Sequence, residues 1–316
     1  MFLETLSNLP GVSGDEARVR RAIVEILKDQ PLELKCDTMG NLYVRKKGSA
    51  RDSRVMLTAH MDEVGLMVMA VEKNGHLKFK AVGSLDSRVL VAKRVKVGPD
   101  AVPGVIGVKA VHLQKPGERR KPFTEDQLTI DIGASNGEEA EKYVRVSDYV
   151  SFDSTFTAMG EGYFRGKAFD DRAGCAVLLE LLLDPETPPF DAVFTVQEEI
   201  GSRGALVAAY TLQPQRALVL EGTAAADTPG TEREQSGTVL GAGPAISIMD
   251  SSVIVDREML RELVHTAEAA GIPYQYRRFT GADTDAGAIA LSREGVKAAV
   301  VSVPCRYIHS PHGVMR

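Results

Sequence analysis

Compact apolar runs that end on an acid or a histidine constrain this chain more than any other feature. The runs Arg54–Ala59, Ala192–Val196, Ala217–Leu220 and Ala298–Val303 are short and dominated by small or branched apolar residues. Runs of this kind read as strands buried on both faces. Helical periodicities alternate with them. Ser13 followed by Glu16 is a capping-box pattern, and Val19, Ala22, Ile23, Ile26 and Leu27 continue at helical spacing, so a helix is expected from about residue 14 to residue 29. Asp171–Leu183 and Met259–Ala270 are the other clear helices, the second stopped by Gly271 and Pro273. Asn41–Arg45 alternates and reads as a further strand. Such alternation implies an α/β fold with a mostly parallel sheet sandwiched by helices.

The texture changes between Leu66 and Phe164. Short alternating segments such as His76–Lys80 and Val105–Lys109 are punctuated by Gly and Pro, with one helical piece near Gly137–Val144. This stretch reads as a small all-β unit inserted into the α/β domain. The expected division is residues 1–66 and 165–316 for the α/β domain and 67–164 for the insertion.

Composition excludes several classes. A chain of 316 residues with 44% hydrophobic and 26% charged residues can bury a sizeable core. A net charge of −5 argues against nucleic acid and anionic membrane as partners. The basic stretch Lys115–Lys121 is followed by acids and reads as a solvated loop. Cys36, Cys175 and Cys305 make no disulfide framework. The N-terminal residues lack a basic region and a cleavable apolar core, and no apolar run is long enough to span a bilayer. A soluble cytoplasmic protein is expected.

The chemistry gathers at the run ends. His60, Asp62 and Glu63 follow one run, Glu198 and Glu199 another, Glu221 a third, and His309 lies shortly after the fourth, while Asp170 and Asp171 open a helix. In open α/β sheets, sites form beyond the carboxyl ends of the strands. Carboxylates gathered there would repel one another unless divalent cations compensated them. Mixed His and carboxylate donors suit zinc, cobalt or manganese better than calcium. The economical arrangement is two ions about 3.5–4 Å apart sharing a carboxylate. Asp170 is the expected bridge, with His60 and Glu221 completing one site and Glu199 and His309 the other. Adjacent side chains on extended backbone point opposite ways, which frees Glu198 to act as general base on a bridging water. Asp62 is placed to accept from the His60 imidazole. Each spot also has a plain reading as a helix cap or a solvated face. The pattern points to a metallohydrolase without naming the substrate.

At the same residues the sequence resembles the M42 family of metallo-aminopeptidases, which includes glutamyl aminopeptidases and the tetrahedral TET peptidases. The resemblance runs through Leu9–Glu16, Met39–Leu42, Thr58–Gly65, Lys167–Gly174, Gln197–Gly204, Gly281–Gly287 and Arg306–Pro311, in that order. It implies terminal metal ligands at His60 and His309, a bridging Asp170, a ligand at Glu199, a general base at Glu198 and a supporting Asp62. It also implies release of N-terminal residues from peptides with zinc or cobalt, an inserted β-rich dimerisation domain and homo-oligomers from dimer to dodecamer. Thr284 and Asp285 match a family motif near the site, where substrate binding and a structural turn both remain open.

The chain departs from the family at Glu221, where Asp is usual. Asp or Glu at this place tends to accompany amino- or carboxypeptidase activity in related two-metal peptidases. Asp227 is a further candidate for the ligand. Family members also usually continue past the last motif, whereas this chain ends at Arg316. A carboxypeptidase, deacylase or other amidohydrolase on the same centre, a metal-independent glycosidase, and a non-catalytic scaffold of the same fold stand as alternatives.

Overall fold

The computed structural model describes residues 1–46, 55–232 and 237–316. Arg54, expected to open a strand, lies outside the described residues. The chain opens with α1 (Phe2–Asn8) and α2 (Ala17–Leu27), then β1 (Leu32–Cys36), β2 (Leu42–Lys46) and β3 (Val55–His60). Next come β4 (Gly65–Val71), β5 (Leu77–Val82), β6 (Arg94–Val97), β7 (Val102–Val108), β8 (Leu128–Asp131), α3 (Gly137–Ala140) and β9 (Tyr149–Phe152). β10 (Thr157–Met159) and β11 (Tyr163–Gly166) lead into α4 (Phe169–Leu183). The remainder runs β12 (Asp191–Thr195), α5 (Arg203–Leu212), β13 (Arg216–Ala224), β14 (Ala245–Ser247), α6 (Arg257–Ala269), β15 (Gln275–Arg277), α7 (Asp285–Ala290), β16 (Lys297–Cys305) and β17 (Gly313–Met315).

Eight strands form one sheet in the order β1-β2-β12-β3-β13-β16-β14-β15. Its centre, β12-β3-β13-β16, is parallel. β1, β2 and β14 join antiparallel. The expected mostly parallel sheet is thus found at the centre and gives way towards the edges, because the short β1–β2 connection can only return the chain antiparallel.

Side-chain alternation sorts the two faces. Ala217, Val219, Ala298 and Val300 pack with Ala205, Ala208 and Ile289, putting α5 and α7 on one face. Leu220 packs with Leu6, Ile23, Leu178 and Leu179, so α1, α2 and α4 cover the other. Ala299 and Met259 bring α6 to that second face. α2 buries Val19, Ile23 and Leu27, a stripe at i, i+4 and i+8.

β4-β5-β8-β7-β6-β9 close into a barrel filled by inward residues such as Leu66, Val68, Phe79, Ile106, Ile130 and Val150. β10, β11 and β17 make a separate antiparallel sheet. The fold is therefore mixed α/β with a β-rich insertion that starts five residues after His60.

Two local expectations are corrected. α2 begins at Ala17, and Ser13 does not cap it; its hydroxyl donates to Asp62 Oδ2 at 2.7 Å. Glu16 Oε1 instead accepts from the backbone amides of Gly14 and Gln197. The capping-box spacing was therefore occupied by residues committed to the strand ends.

Candidate metal centre

Parallel pairing sets the site. Thr195 is level with His60 across β12 and β3, and Thr58 is level with Val219 across β3 and β13, which brings Glu221 alongside His60. Glu221 lies inside β13 rather than past its end, so the strand continues beyond the residue that faces the cluster.

Asp170 is the centre of the arrangement. Its Oδ1 is 3.3 Å from His60 Nε2, and its Oδ2 is 3.2 Å from His309 Nε2. His60 Nε2 also lies 3.1 Å from Glu221 Oε1 and 4.0 Å from Glu198 Oε2. His309 Nε2 lies 3.2 Å from Glu199 Oε2. All five expected ligands, and Glu198, therefore converge. Gly222 permits the approach: a Cβ there would fall 2.6 Å from Asp170 Oδ1.

Asp62 organises the neighbours. Its Oδ1 faces His60 Nδ1 at 3.4 Å, long for a hydrogen bond, so attraction there is mainly between charges. Its oxygens accept from the backbone amides of Glu198 at 3.0 Å and Glu199 at 3.1 Å. Those two glutamates follow β12 in irregular backbone after Gln197, whose φ is 57°. Extended-strand alternation does not separate their side chains, as had been expected; Asp62 holds both amides instead. Asn41 supports the same segment by accepting from the Val196 amide and donating to the Gly204 carbonyl.

Asp171, which carried no assigned role, is buried beneath the cluster. Its Oδ1 accepts from the Gly174 amide at 2.9 Å and its Oδ2 from the His60 amide at 3.2 Å. Both oxygens serve backbone donors, so Asp171 clamps α4 to β3. One ligand atom each from His60, Asp171 and Glu221 lie within 4.8 Å of one another, as do those of His60, Asp170 and Glu199. His309, at φ 53°, lines the cavity together with Ser84, so the loop after β5 of the barrel reaches the centre.

Thr284 and Asp285 lie together but differ. The Thr284 hydroxyl donates to Asp250 Oδ2 at 2.9 Å and lines the cavity. Asp285, equally buried, accepts at Oδ2 from the Thr195 hydroxyl at 2.6 Å. Asp227, the other candidate at this strand, is instead held by Arg306, at 2.6 and 2.8 Å. Ser13, Thr195 and Gly222 were missed as supporting residues; a lone glycine within an apolar strand was the one available signal.

The electrostatics follow from crowding. Burial pushes Glu199 up to about 8, with His309 offsetting part of the effect. Burial also pushes Glu221 up to about 8, offset in part by His60. Glu198 is held well above the usual carboxylate range by burial and by the Glu221 and Asp285 charges. Burial alone would lower His60, yet Glu221, Asp170 and Asp62 outweigh it and hold it high. His309 is likewise raised to about 9, Asp170 and Glu199 overcoming burial. Asp170 is held low because both imidazoles outweigh its burial.

Glu199 Oε1 and Glu221 Oε2 are buried with no hydrogen-bond partner among the described residues. Unpartnered carboxylate oxygens beside two imidazoles are the donor set a divalent cation takes. The cluster forms one end of a cavity of about 400 Å³, also lined by Ser84, Arg277, Phe279, Asp283 and Ile308.

A family model described as M42 glutamyl aminopeptidase matches residues 40–316. A lysyl aminopeptidase of Pyrococcus furiosus is 34% identical over 98% of this chain and 90% of its own length. The crystal structure of a TET aminopeptidase from a marine-sediment Thaumarchaeota archaeon superposes with a TM-score of 0.95 at 35% identity, covering 99% of this chain and 90% of the other. A Pyrococcus horikoshii TET1 peptidase, whose structure is described as assembling into a tetrahedron or a large octahedral shell, superposes with a TM-score of 0.87 at 33% identity, covering 99% and 93%.

Proposed function

The chain belongs to the M42 glutamyl aminopeptidase family, and from that premise we propose that it removes N-terminal residues from peptides at the Asp170 cluster. The carrying observation is that the two oxygens of Asp170 face two different imidazoles, at 3.3 and 3.2 Å. A carboxylate so placed suits a bridge between two cations. His60 and Glu221 would hold one, and Glu199 and His309 the other. Zinc or cobalt, with manganese as a further option, would supply positive charge that neutralises the carboxylates and polarises the scissile carbonyl.

The rest falls to side chains. Glu198 lines the cavity and would accept a proton from the attacking water and pass it to the leaving amine. Asp62 keeps His60 oriented and holds the Glu198 and Glu199 amides in place. The matching family model and the similar TET and lysyl enzymes are aminopeptidases. That supports amino- rather than carboxypeptidase action, Glu221 notwithstanding. Thr284 would shape the substrate wall, with Asp285 beside it.

The proposal includes a homo-oligomer formed through the barrel, taking residues 67–164 as the dimerisation unit. Exposed Met69, Val105, Leu113 and Tyr143 support an interface there. No described helix is long and apolar enough to cross a membrane. The free thiols of Cys36, Cys175 and Cys305 support a cytoplasmic location. The test is a panel of aminoacyl-anilides with free and acetylated amines, offered to metal-reconstituted protein. Cleavage of the free-amine substrates alone supports the reading; equal cleavage of blocked substrates overturns it.

A further inference from the structure

The segment that carries Glu198 and Glu199 follows β12, which ends at Thr195, so its backbone groups need partners outside the strand ladder. Its carbonyls find them in the turn into α5: Val196 accepts from the Gly204 amide, Gln197 from Arg203, and Glu198 from Gly201 and Ser202. Its amides go to side chains brought from elsewhere in the chain. Asn41 takes the Val196 amide, Asp62 takes those of Glu198 and Glu199, and Glu16 Oε1 takes that of Gln197 at 3.2 Å. Gln197 is where the backbone turns, at φ 57°, a left-handed conformation that a residue with a Cβ disfavours. Holding its amide therefore decides where the next residue, Glu198, points.

Glu16 is itself held firmly. Its side chain is buried, and the same oxygen accepts from the Gly14 amide at 2.7 Å, which fixes the carboxylate within its own loop. That loop is pinned from two sides. The Ser13 hydroxyl reaches Asp62 and the Ser13 amide reaches the Glu63 carbonyl. From the barrel, the Pro99 carbonyl accepts from Arg18 Nη2 at 2.7 Å, and a Cβ on Gly14 would fall 2.4 Å from Tyr149 Oη. We propose that Glu16 is a positioning residue for the general base, setting the direction of Glu198 through the Gln197 amide. The inference rests on the reading of Glu198 as the base of an aminopeptidase. Glu16 is not among the residues lining the cavity, so its effect on turnover passes through the backbone. Asp62 also faces His60, so its loss disturbs metal as well as base; Glu16 separates the two.

Glu16→Ala removes the acceptor. In metal-reconstituted protein acting on an aminoacyl-anilide, kcat should fall about 10- to 100-fold, the scale of a catalytic group displaced by a fraction of its reach. KM should stay within about twofold and bound metal at the wild-type level. Glu16→Leu fills the space without an acceptor and should match Glu16→Ala, which serves if the smaller variant does not fold. Glu16→Gln keeps an acceptor oxygen in the same place and should recover most of kcat. Amide hydrogen exchange reads the same contact without turnover: exchange across residues 197–199 should quicken about tenfold or more in the Ala or Leu variant and stay near wild type in the Gln variant. Wild-type protein that cleaves no anilide, with exchange responding as described, would remove the hydrolytic reading and keep this assignment. An unchanged kcat in the variants lacking an acceptor, a loss matched by lost metal, or an equal loss in Glu16→Gln overturns it.

Discussion

The Ser13 hydroxyl donates to Asp62 Oδ2 at 2.7 Å, joining the N-terminal loop to the residue that faces His60. The same carboxylate holds the Glu198 and Glu199 amides. Asp62→Ala should therefore lower metal affinity roughly 10- to 100-fold, the usual effect of losing a group that orients a ligand. Ser13→Ala, one contact further out, should cost less than Asp62→Ala. Metal-buffer titrations of the two variants check this order, and the reverse order would contradict it.

Glu198→Gln keeps shape and removes the base. Turnover should fall about 100-fold or more, the scale of general-base catalysis, while bound metal stays at the wild-type level. Parallel rate and metal assays separate proton transfer from ligation.

Gly222→Ala would place a methyl 2.6 Å from Asp170 Oδ1 and 2.8 Å from its Cγ. The aspartate must shift, so metal retention should fall about tenfold or more, as for other losses of ligand support. Equilibrium dialysis measures it.

A buried ionic knot ties the N-terminal loop to α4. Lys167 Nζ donates to Glu63 Oε1 at 2.6 Å and to the Leu9 carbonyl, and Arg172 donates to the Leu6 and Met61 carbonyls. Glu63→Gln leaves two buried cations without their carboxylate. Chemical denaturation should show a loss of roughly 3–5 kcal/mol.

The pH dependence of the metal-free protein has a definite sign. Glu199 and Glu221 are raised to about 8. Between their ordinary range and 8 the folded state holds more protons than the unfolded one, so stability falls as pH rises. His309, raised to about 9, contributes stability that is present below its ordinary range and lost as pH rises through 9. Both effects run the same way. Melting temperature of chelated protein should drop from pH 6 to pH 9, and added metal should stabilise most at the alkaline end, where the ligands are deprotonated.

Strands and helices were legible because each carries its own period or composition. His60, Asp170, Glu199, Glu221 and His309 were legible because chemistry-bearing residues sat at the margins of apolar runs. Ser13 was not, because a cap and a partner of a distant carboxylate look alike in local spacing. Asp171 was obscured by its neighbour, since nothing in sequence says which of two adjacent aspartates faces the cavity and which clamps backbone. The irregular backbone at Gln197–Glu199 defeated an alternation rule that assumes a strand.

Metal content reads the central claim most directly. Protein stripped by chelator, reloaded with zinc or cobalt and dialysed should hold about two ions per chain, as a shared-carboxylate pair requires, and Asp170→Ala should hold close to none. Retention of no metal by the wild type, or undiminished retention by Asp170→Ala, would contradict the account.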